Sequence, residues 1–454
     1  MEKNSNPKIE LKYFGTDGFR GEYGKTLTDA HAEAIGRFLG THYGDRADIL
    51  IGMDTRRSSP LLEAALIKGI RSVGGTAYRL GVCPTPLVSF LTRLGEINAA
   101  VMITASHNPA CDNGIKLFGG DGEKLPDEIT ALCEKFIDEK GNAELIKGDI
   151  SGKFVNVGHM ILRWEKEIQS SADRLDGLKI GLDCANGATY DTAPRIFKAL
   201  GAEVHTIGCA PSGDNINLSV GSTHPEALAE MVRRERLDMG FAFDGDGDRC
   251  IAIDKSGNII DGDGEMFILA RAMKEQGELR EDTVVCTVMS NGGFIHSLEK
   301  LGIKCSVTAV GDRFVAEEMK AIGATLGGEQ AGHLIIKDGG GNGIYTAIKL
   351  AEISKNTKKS LSELTSELTL HPQLIRNIRV KDKNAAMSNG TLLEAVKSAT
   401  DEIGASGRIL LRPSGTENLI RLMVEHENPD KCKQYVGKLA KIIEESDGKH
   451  ENEN

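Results

Sequence analysis

The stretch Asp48-Ile-Leu-Ile-Gly-Met-Asp54 and the Ser59-Pro60 that follows it decide the fold class of this chain. An apolar strand ends in a polar turn, and a serine and a proline then begin a helix whose apolar positions recur at helical spacing. Gly74-Gly75 ends the helix, and Thr76-Ala-Tyr78 begins a second strand. Strand, helix, glycine and strand in this order are typical of a parallel βαβ crossover. The segment therefore predicts an α/β sheet covered by helices.

The same order of elements occurs twice more, beginning at Leu178 to Cys184 and at Thr283 to Met289. The copies are too far apart for stacked repeats, whose period is about 20–50 residues, so we interpret them as three duplicated α/β domains with mixed sheets. The segment from about residue 371 lacks the unit and predicts a smaller α+β domain. The expected boundaries are 1–155, 156–258, 259–370 and 371–454.

Length and composition limit the class of protein. The chain has 454 residues, which at roughly 150 residues per domain favours about three domains and leaves two or four open. With 40% hydrophobic and 27% charged residues, it has the balance of a soluble protein that folds around a core. A net charge of −11 argues against a broad electrostatic surface for nucleic acid or an anionic membrane. An anionic ligand must therefore be held by a local cationic pocket.

Cysteine spacing and the N-terminal segment indicate the compartment. The nine cysteines contain no C-x-x-C pair, so neither a zinc site nor a redox pair is predicted, and reduced thiols are expected. The first residues lack the apolar region of a secretory signal, and no run of about 18 apolar residues occurs. We interpret the protein as cytoplasmic.

Four polar clusters follow apolar runs, where open α/β sheets usually bind ligands. The first is Thr104-Ala-Ser-His-Asn-Pro109, in which Asn108-Pro109 fixes a turn around Ser106. Lys116, ten residues further on, can supply a cation to such a site. The hydrolase motif G-x-S-x-G is absent. Taken alone, the cluster is explained about equally well by a turn whose hydroxyl bonds its own backbone.

The second cluster, Asp244-Gly-Asp-Gly-Asp-Arg249, places three carboxylates at alternate positions. They repel one another unless a cation neutralises them, and the glycines let the backbone curl them around one point. This pattern predicts a metal site with oxygen ligands, suited to Mg²⁺ or Ca²⁺. An EF-hand is excluded because Arg249 and Lys255 occupy the positions that require glycine and glutamate. A solvated Asp-Gly turn is the alternative.

Two weaker clusters complete the set. Gly327-Gly-Glu-Gln-Ala-Gly-His333 presents donors and acceptors suited to hydroxyl groups, although such a loop is often merely solvated. Arg412-Pro-Ser-Gly-Thr-Glu417, with Arg421 beyond it, offers the guanidinium, hydroxyls and open backbone that a phosphate requires, although a hairpin turn would explain it as well. The nucleotide motifs G-x-x-x-x-G-K-[ST] and G-x-G-x-x-G are absent. Together the four clusters predict phosphoryl transfer to and from a polyol.

These four motifs resemble the signatures of the α-D-phosphohexomutase family, in the family's order and one in each expected domain. The resemblance runs from about Tyr13 to about Glu425. Within the family, four further stretches are more similar to the bacterial phosphoglucosamine mutases than to phosphomannomutases or phosphoglucomutases: Tyr13-Phe-Gly-Thr-Asp-Gly-Phe-Arg-Gly21, Asn215-Ile-Asn217, Gly221-Ser-Thr-His-Pro-Glu226 and Glu329-Gln330. The resemblance implies an isomerase that interconverts glucosamine 6-phosphate and glucosamine 1-phosphate through a phosphoserine and a 1,6-bisphosphate. Such an enzyme serves amino-sugar metabolism, toward UDP-N-acetylglucosamine and peptidoglycan precursors.

The resemblance also implies roles for individual residues. Ser106 would carry the phosphoryl group, and Asp244, Asp246 and Asp248 would hold one Mg²⁺ together with a phosphoserine oxygen. The groups around that phosphate would be Arg20, His107, Lys116 and Arg249. Lys116 and His333 would carry protons, Lys116 if cationic surroundings lower its pKa. Sugar hydroxyls would contact Glu329, Ala331 and His333, and the remote phosphate would contact Arg412, Ser414, Gly415, Thr416 and Arg421.

Two positions depart from the family's pattern, because Ala331 stands where serine is usual and Asn342 where we expect aspartate. The implied cofactors are Mg²⁺ and glucosamine or glucose 1,6-bisphosphate as activator or intermediate. The implied partner is a small-molecule phosphosugar, with no nucleic acid and no membrane, and a homodimer is left open. A phosphoglucomutase or phosphomannomutase is the alternative activity. A non-catalytic phosphosugar-binding protein is a weaker one, because a binder needs neither Ser106 nor a metal site.

Overall fold

The structure is a computed structural model that describes residues 11–44, 46–139, 152–337, 340–413 and 418–448. The described residues divide into two compact units. The larger unit extends to Met289 and continues from Ile303 to Ser366, and the smaller unit holds Ser290–Gly302 and the residues from Glu367 onward. None of the helices in the described ranges is long and apolar enough to cross a membrane.

The first sheet combines parallel strands with an antiparallel edge. Its strands are β1 (Phe14–Gly15), β2 (Gly18–Glu22), β3 (Asp48–Met53), β4 (Thr76–Val82), β5 (Ala99–Ile103), β6 (Asp112–Gly119) and β7 (Phe154–Asn156), in the order β1-β2-β6-β5-β3-β4-β7. β3 is parallel to β4 and β5, whereas β6 runs antiparallel to β5. Every residue of β5 is buried, as expected of a strand covered on both faces.

The helices of this region are α1 (Asp29–His42), α2 (Ser59–Ser72), α3 (Thr85–Arg93) and α4 (Asp127–Asp138). Two glycines bring α1 and α2 close together. A Cβ on Gly36 would lie 2.3 Å from the Leu66 carbonyl oxygen, and one on Gly69 would lie 2.1 Å from that of Glu33. Pro60 lies in the first turn of α2, where its missing N–H leaves no helical hydrogen bond unmade.

The second sheet repeats the arrangement. Its strands are β8 (Lys179–Asp183), β9 (Glu203–Ile207), β10 (Met239–Phe243), β11 (Cys250–Asp254) and β12 (Ile259–Ile260), in the order β12-β11-β10-β8-β9. The helices are α5 (Met160–Ser170), α6 (Thr192–Ala199) and α7 (Glu226–Glu235). β8 is parallel to β9 and β10, and β11 is antiparallel to β10.

The third sheet has the same pattern with fewer strands. It contains β13 (Thr283–Thr287), β14 (Lys304–Thr308), β15 (Leu326–Gly328) and β16 (Leu334–Ile336), in the order β14-β13-β15-β16. The helices of this stretch are α8 (Gly262–Glu275), α9 (Gly292–Lys300), α10 (Asp312–Ile322), α11 (Gly343–Thr357) and α12 (Leu361–Leu364). Of these, α9 belongs to the smaller unit.

The fourth sheet lies in the smaller unit and is wholly antiparallel. Its strands are β17 (Gln373–Arg379), β18 (Gly407–Pro413) and β19 (Leu419–His426), with β19 in the centre. The helices are α13 (Lys383–Met387), α14 (Gly390–Ile403) and α15 (Pro429–Gly448). The sequence pattern predicts a helix near residues 392–400 and strands at 409–411 and 419–424, which correspond to α14, β18 and β19. It does not predict β17, α13 or α15.

One topological feature positions the polar clusters. In each of the first three sheets, the last parallel strand leads into an antiparallel neighbour: β5 into β6, β10 into β11 and β15 into β16. These equivalent connections are 104–111, 244–249 and 329–333, and they carry the first three clusters predicted from the sequence. The described elements therefore confirm three duplicated α/β units with mixed sheets and a smaller α+β region.

Candidate active site

Ser106 lies in the connection between β5 and β6 with a left-handed backbone, φ +51°. This conformation is uncommon for a residue with a Cβ and costs about 1–3 kcal/mol, so the surroundings must impose it. The Ser106 amide donates to Thr104 Oγ1 at 2.9 Å. The buried Ser106 hydroxyl donates to Asp244 Oδ2 at 2.7 Å, so the turn aims it at the aspartate cluster rather than at its own backbone.

The three aspartates of the second cluster converge as the sequence predicts. One carboxylate oxygen from each of Asp244, Asp246 and Asp248 lies within 4.8 Å of the others, and all three residues are buried. Asp244 Oδ1 accepts hydrogen bonds from the amides of Gly247 and Arg249, which fold the loop around it. Burial and repulsion from Asp248 and Asp246 raise the pKa of Asp244 well above its usual value. A bound cation would relieve that repulsion.

The aspartate oxygens also fit a metal ion at the level of single atoms. Asp246 Oδ2 accepts from Thr85 Oγ1 at 2.6 Å and from Lys116 Nζ at 2.7 Å. Asp246 Oδ1 and Asp248 Oδ1 are buried and have no hydrogen-bond partner among the described residues. Buried carboxylate oxygens without donors are costly, and hard oxygens are the ligands that Mg²⁺ and Ca²⁺ prefer. The residues present therefore fit a hard divalent cation.

Lys116 lies in an anionic environment, which corrects the sequence expectation that cationic neighbours lower its pKa. Its buried Nζ lies 2.7 Å from Asp246 Oδ2 and 2.9 Å from Asp248 Oδ2. Burial favours the neutral amine, but the nearby carboxylates outweigh burial and hold the pKa of Lys116 well above its usual value. Lys116 is therefore a fixed positive charge in this state rather than a base.

Asp17, which the sequence analysis did not single out, gathers three cations. It forms ion pairs with Arg20 and with Lys124, whose Nζ lies 2.7 Å from Asp17 Oδ1, and Lys116 Nζ lies 3.6 Å away. Burial opposes its charge, yet these cations hold the pKa of Asp17 well below its usual value. Arg20 thus lies in the cationic group that the resemblance implied. Asp17 could have been identified from the sequence, because it lies in the 13–21 stretch that carries part of the family resemblance.

His107 and Arg249 lie next to this centre. The His107 Nδ1 atom lies 3.2 Å from Ser106 Oγ. Burial, followed by the positive charges of Arg249 and Arg20, lowers the pKa of His107 to about 4. Burial disfavours the Arg249 guanidinium charge, but Asp244 and Asp248 outweigh it and raise the pKa of Arg249. His107 is consequently a neutral imidazole in contact with the serine hydroxyl at ordinary pH.

The third connection brings His333 against the aspartate cluster. His333 is buried, with Nδ1 3.8 Å from Asp248 Oδ1 and Nε2 3.7 Å from Asp312 Oδ2. Burial favours neutral imidazole, but these carboxylates prevail and raise the pKa of His333 to about 9. Glu329 Oε1 accepts from the Gly311 amide at 2.9 Å, and Ala331 is exposed. Asp312 is a neighbour that sequence reasoning missed, since its sequence context carries no catalytic motif.

Asn342, the second departure from the family's pattern, has a local structural role. Its side-chain oxygen accepts from the Tyr345 amide at 3.1 Å and caps α11. The next residue, Gly343, donates its amide to the Gly247 carbonyl, and a Cβ at Gly343 would lie 2.2 Å from the Arg249 carbonyl oxygen. The start of α11 therefore packs on the aspartate loop.

The fourth cluster is partly described. Ser414, Gly415 and Thr416 lie outside the described residues. Arg412 on β18 and Arg421 on β19 are direct partners in the antiparallel register. Side chains directly opposite each other on antiparallel strands lie on the same face of the sheet. The pair therefore concentrates positive charge beside the loop predicted to hold a phosphate.

Family profiles cover nearly all of the chain. Four profiles match: phosphoglucomutase/phosphomannomutase alpha/beta/alpha domain I over residues 11–144, domain II over 161–257, domain III over 261–370 and the C-terminal domain over 376–442. The chain belongs to the phosphoglucomutase/phosphomannomutase family. The family resemblance inferred from the sequence is thereby confirmed.

Full-length relatives of this phosphoglucomutase/phosphomannomutase family member agree with the profiles. A phosphoglucosamine mutase of Bacillus cereus is 50% identical over 442 residues, which are 95% of this chain and 98% of the relative. A phosphoglucosamine mutase of Bacillus anthracis has the same identity and coverage.

Solved structures share the fold of the phosphoglucomutase/phosphomannomutase chain. A family protein from Burkholderia thailandensis matches with a TM-score of 0.79 and 24% identity, over 96% of this chain and 98% of that one. The Aspergillus fumigatus N-acetylphosphoglucosamine mutase, solved in complex with GlcNAc-6P and magnesium, matches with a TM-score of 0.69 and 17% identity, over 96% of each chain.

Proposed function

We propose that the chain is a phosphoglucosamine mutase, an intramolecular phosphotransferase that interconverts glucosamine 6-phosphate and glucosamine 1-phosphate. The observation that carries the reaction type is the buried Ser106 hydroxyl, held by a left-handed turn 2.7 Å from Asp244 in a cluster of three aspartates. The substrate is supported by relatives named phosphoglucosamine mutase that are 50% identical over 95% of the chain.

In the proposed reaction, phosphorylated Ser106 donates its phosphoryl group to the free hydroxyl of glucosamine phosphate. The P–O bond to Ser106 breaks as one forms to the sugar, and the sugar hydroxyl proton moves to Ser106 Oγ. His107, whose Nδ1 lies 3.2 Å from that oxygen, is suited to pass the proton. The 1,6-bisphosphate then reorients in the site, so that its other phosphate faces Ser106 and is transferred back to the Ser106 hydroxyl. Glucosamine or glucose 1,6-bisphosphate is the proposed activator.

Fixed charges around Ser106 support this reaction. Asp244, Asp246 and Asp248 would hold Mg²⁺, which when bound stabilises negative charge on the transferring phosphoryl group. Lys116, Arg20 and Arg249 supply positive charges from the protein itself. Glu329, Ala331 and His333 are the proposed contacts for the sugar. The remote phosphate is assigned to Arg412, Arg421 and the loop of Ser414, Gly415 and Thr416.

The test is a coupled assay for glucosamine 1-phosphate formation, with Mg²⁺ and priming by glucose 1,6-bisphosphate. We expect turnover on glucosamine phosphate to exceed that on glucose and mannose phosphates, and intact-mass mapping to find one phosphate, on Ser106. Ser106→Ala should abolish both signals, whereas Ser72→Ala, which removes a hydroxyl bonded to the Gly69 carbonyl, should preserve them.

Three results would contradict the proposal. Faster turnover on glucose or mannose phosphate would make the chain a phosphoglucomutase or phosphomannomutase. Binding of all three sugars without turnover would make it a phosphosugar-binding protein. Substantial activity in Ser106→Ala would exclude a phosphoserine mechanism.

A further inference from the structure

Arg56 is a buried cation directly beneath the serine connection, and the proposed reaction gives it no role. Its side chain is fully buried, and its Nε donates to the equally buried Asp54 Oδ2 at 2.9 Å. Asp54 Oδ1 accepts from the Arg56 amide at 3.0 Å and from Ser59 Oγ at 2.8 Å. Asp54 therefore neutralises the guanidinium and orients it through Nε, which leaves the two terminal nitrogens for other partners.

Both terminal nitrogens of Arg56 donate to main-chain carbonyls of the 104–112 segment. Nη2 lies 3.0 Å from the Ser106 oxygen and 2.8 Å from the Asn108 oxygen. Nη1 lies 2.8 Å from the Asp112 oxygen and also bonds the Pro109 oxygen. One side chain thus donates to four carbonyls, three in the connection between β5 and β6 and one at Asp112, the first residue of β6.

Asn217, which follows β9 along the chain, reinforces two of these bonds. Its Nδ2 donates to the Ser106 oxygen at 2.9 Å and to the Asn108 oxygen at 3.1 Å. The backbone N–H of Asn217 donates to the Ala185 carbonyl at 2.8 Å, which fixes the position of the residue. A Cβ added to Gly245 would lie 2.5 Å from the same Ser106 oxygen, so the aspartate loop covers it as well. The Ser106 carbonyl consequently accepts from two side-chain donors and is covered by the aspartate loop.

We propose that Arg56 is a positioning residue for phosphoryl transfer, with Asn217 as the second donor. By fixing the carbonyls of Ser106 and Asn108, Arg56 holds the left-handed backbone of Ser106 and keeps its Oγ directed at the aspartates. The orientation of a carbonyl fixes the backbone on either side of it, and that backbone fixes the direction of the side chain. The catalytic consequence rests on the proposed function, whereas the ordering of the turn does not.

The test compares Arg56→Gln, Arg56→Lys and Asn217→Ala with the matched control Arg79→Gln. Arg79 forms an ion pair with the buried Glu63 at 2.9 Å in the same sheet region. For each variant, kcat, KM, the melting temperature and the single-turnover rate of Ser106 phosphorylation by glucose 1,6-bisphosphate are measured. Hydrogen exchange of the peptide spanning 104–113 reports the order of the turn independently of activity.

We expect Arg56→Gln to lower kcat and the phosphorylation rate about 100-fold with KM within about twofold, because small misplacements of a reacting group cost about that much. Arg56→Lys keeps the positive charge but lacks the planar set of N–H donors of a guanidinium, so its kcat and phosphorylation rate should fall about tenfold. Both variants should speed exchange in the 104–113 peptide. Arg79→Gln should lower the melting temperature while its kcat stays within about twofold of wild type.

A folded Arg56→Gln variant with wild-type kcat and phosphorylation rate overturns the proposal. If that variant does not fold, Asn217→Ala decides: a fall in kcat at constant KM supports positioning, and an unchanged kcat overturns it. If the wild type itself turns over no phosphosugar, the proposed function is wrong. In that case unchanged hydrogen exchange in the Arg56 variants overturns the positioning role, and faster exchange confined to the turn supports it.

Discussion

One carboxylate oxygen of Asp246 accepts hydrogen bonds from the protein, and we assign the other to the proposed metal. Oδ2 accepts hydrogen bonds from Thr85 and Lys116, whereas Oδ1 is buried without a partner among the described residues. Asp246→Asn removes the charge and should lower Mg²⁺ affinity about tenfold or more and abolish most turnover. The fold should persist because the loop follows a strand end. Calorimetric titration with Mg²⁺ alone measures the effect.

Asp254→Asn is the matched control for this prediction. Asp254 is a buried carboxylate at the end of β11 that accepts from the Ser256 and Asn258 amides. Its substitution should lower the melting temperature and leave Mg²⁺ affinity unchanged. Full activity of the wild type in excess EDTA would contradict the metal assignment.

His107 should titrate far below an ordinary histidine. Its pKa of about 4 in the unphosphorylated protein lies below the usual value of 6.5, so the unfolded chain binds more protons between these values. The stability gained from neutral His107 is therefore fully present above pH 6.5 and is lost as pH falls toward 4. Proton NMR of the imidazole gives the midpoint directly. His107→Gln should flatten the pH dependence of the unfolding free energy in that window.

A midpoint near 6.5 would contradict the burial and charge assigned to His107. Phosphorylation of Ser106 places a dianion beside the ring and should shift the His107 midpoint upward.

Ala331 is exposed in the third connection, where a serine would add a hydroxyl without filling a packed core. A typical net hydrogen bond contributes about 0.5–1.5 kcal/mol, so Ala331→Ser should raise kcat/KM for glucosamine phosphate about three- to tenfold. We propose that this loop contacts the O3 and O4 hydroxyls of the sugar; glucose phosphate carries the same two hydroxyls and should gain about as much. Steady-state kinetics of the wild type and of Ala331→Ser on both sugar phosphates measure the change. A large selective shift in the amino-sugar ratio would mean that the loop contacts C2 instead.

At the scale of elements, the N-terminus of α11 depends on its cap. Asn342 accepts from the Tyr345 amide, so Asn342→Ala should cost about 1 kcal/mol of stability. Asn342→Asp keeps the acceptor and adds negative charge at a helix N-terminus, where it contributes about 0.3–1 kcal/mol. The melting temperature should fall for alanine and hold or rise for aspartate. A drop for aspartate equal to that for alanine would contradict the capping role.

At the scale of the whole molecule, the proposed reaction predicts that the phosphate contact assigned to Arg421 accepts either phosphate of the bisphosphate. Arg421→Ala should therefore raise KM for the 1-phosphate and the 6-phosphate by similar factors, about tenfold, because charge-assisted bonds contribute about 1.5–3 kcal/mol. Arg376→Ala is the control, since Arg376 lies on β17 of the same sheet and pairs with Glu444. Steady-state kinetics in both directions measure the effect. A change confined to one direction would contradict a shared phosphate site.

The sequence by itself determined the class of fold, because strand, helix and glycine signals are local and recur in three copies. It also predicted that the three carboxylates of the aspartate loop converge, and the structure shows this convergence. It missed β17, whose residues are mostly exposed and show no clear alternation. It also missed α15, although Cys432, Tyr435, Leu439 and Ile443 are buried at helical spacing, so that signal was available.

Only the tertiary structure decided which charges meet. The anionic surroundings of Lys116 come from Asp17, between β1 and β2, and from Asp246 and Asp248 in the 244–249 connection. Both segments are distant from Lys116 in the sequence, so no local pattern could give the direction of its pKa shift. In the sequence, nothing distinguishes Arg56 from an ordinary polar residue that precedes a helix. Its four carbonyl partners become visible only when the connection between β5 and β6 folds over it, because main-chain acceptors carry no signature in side-chain identity.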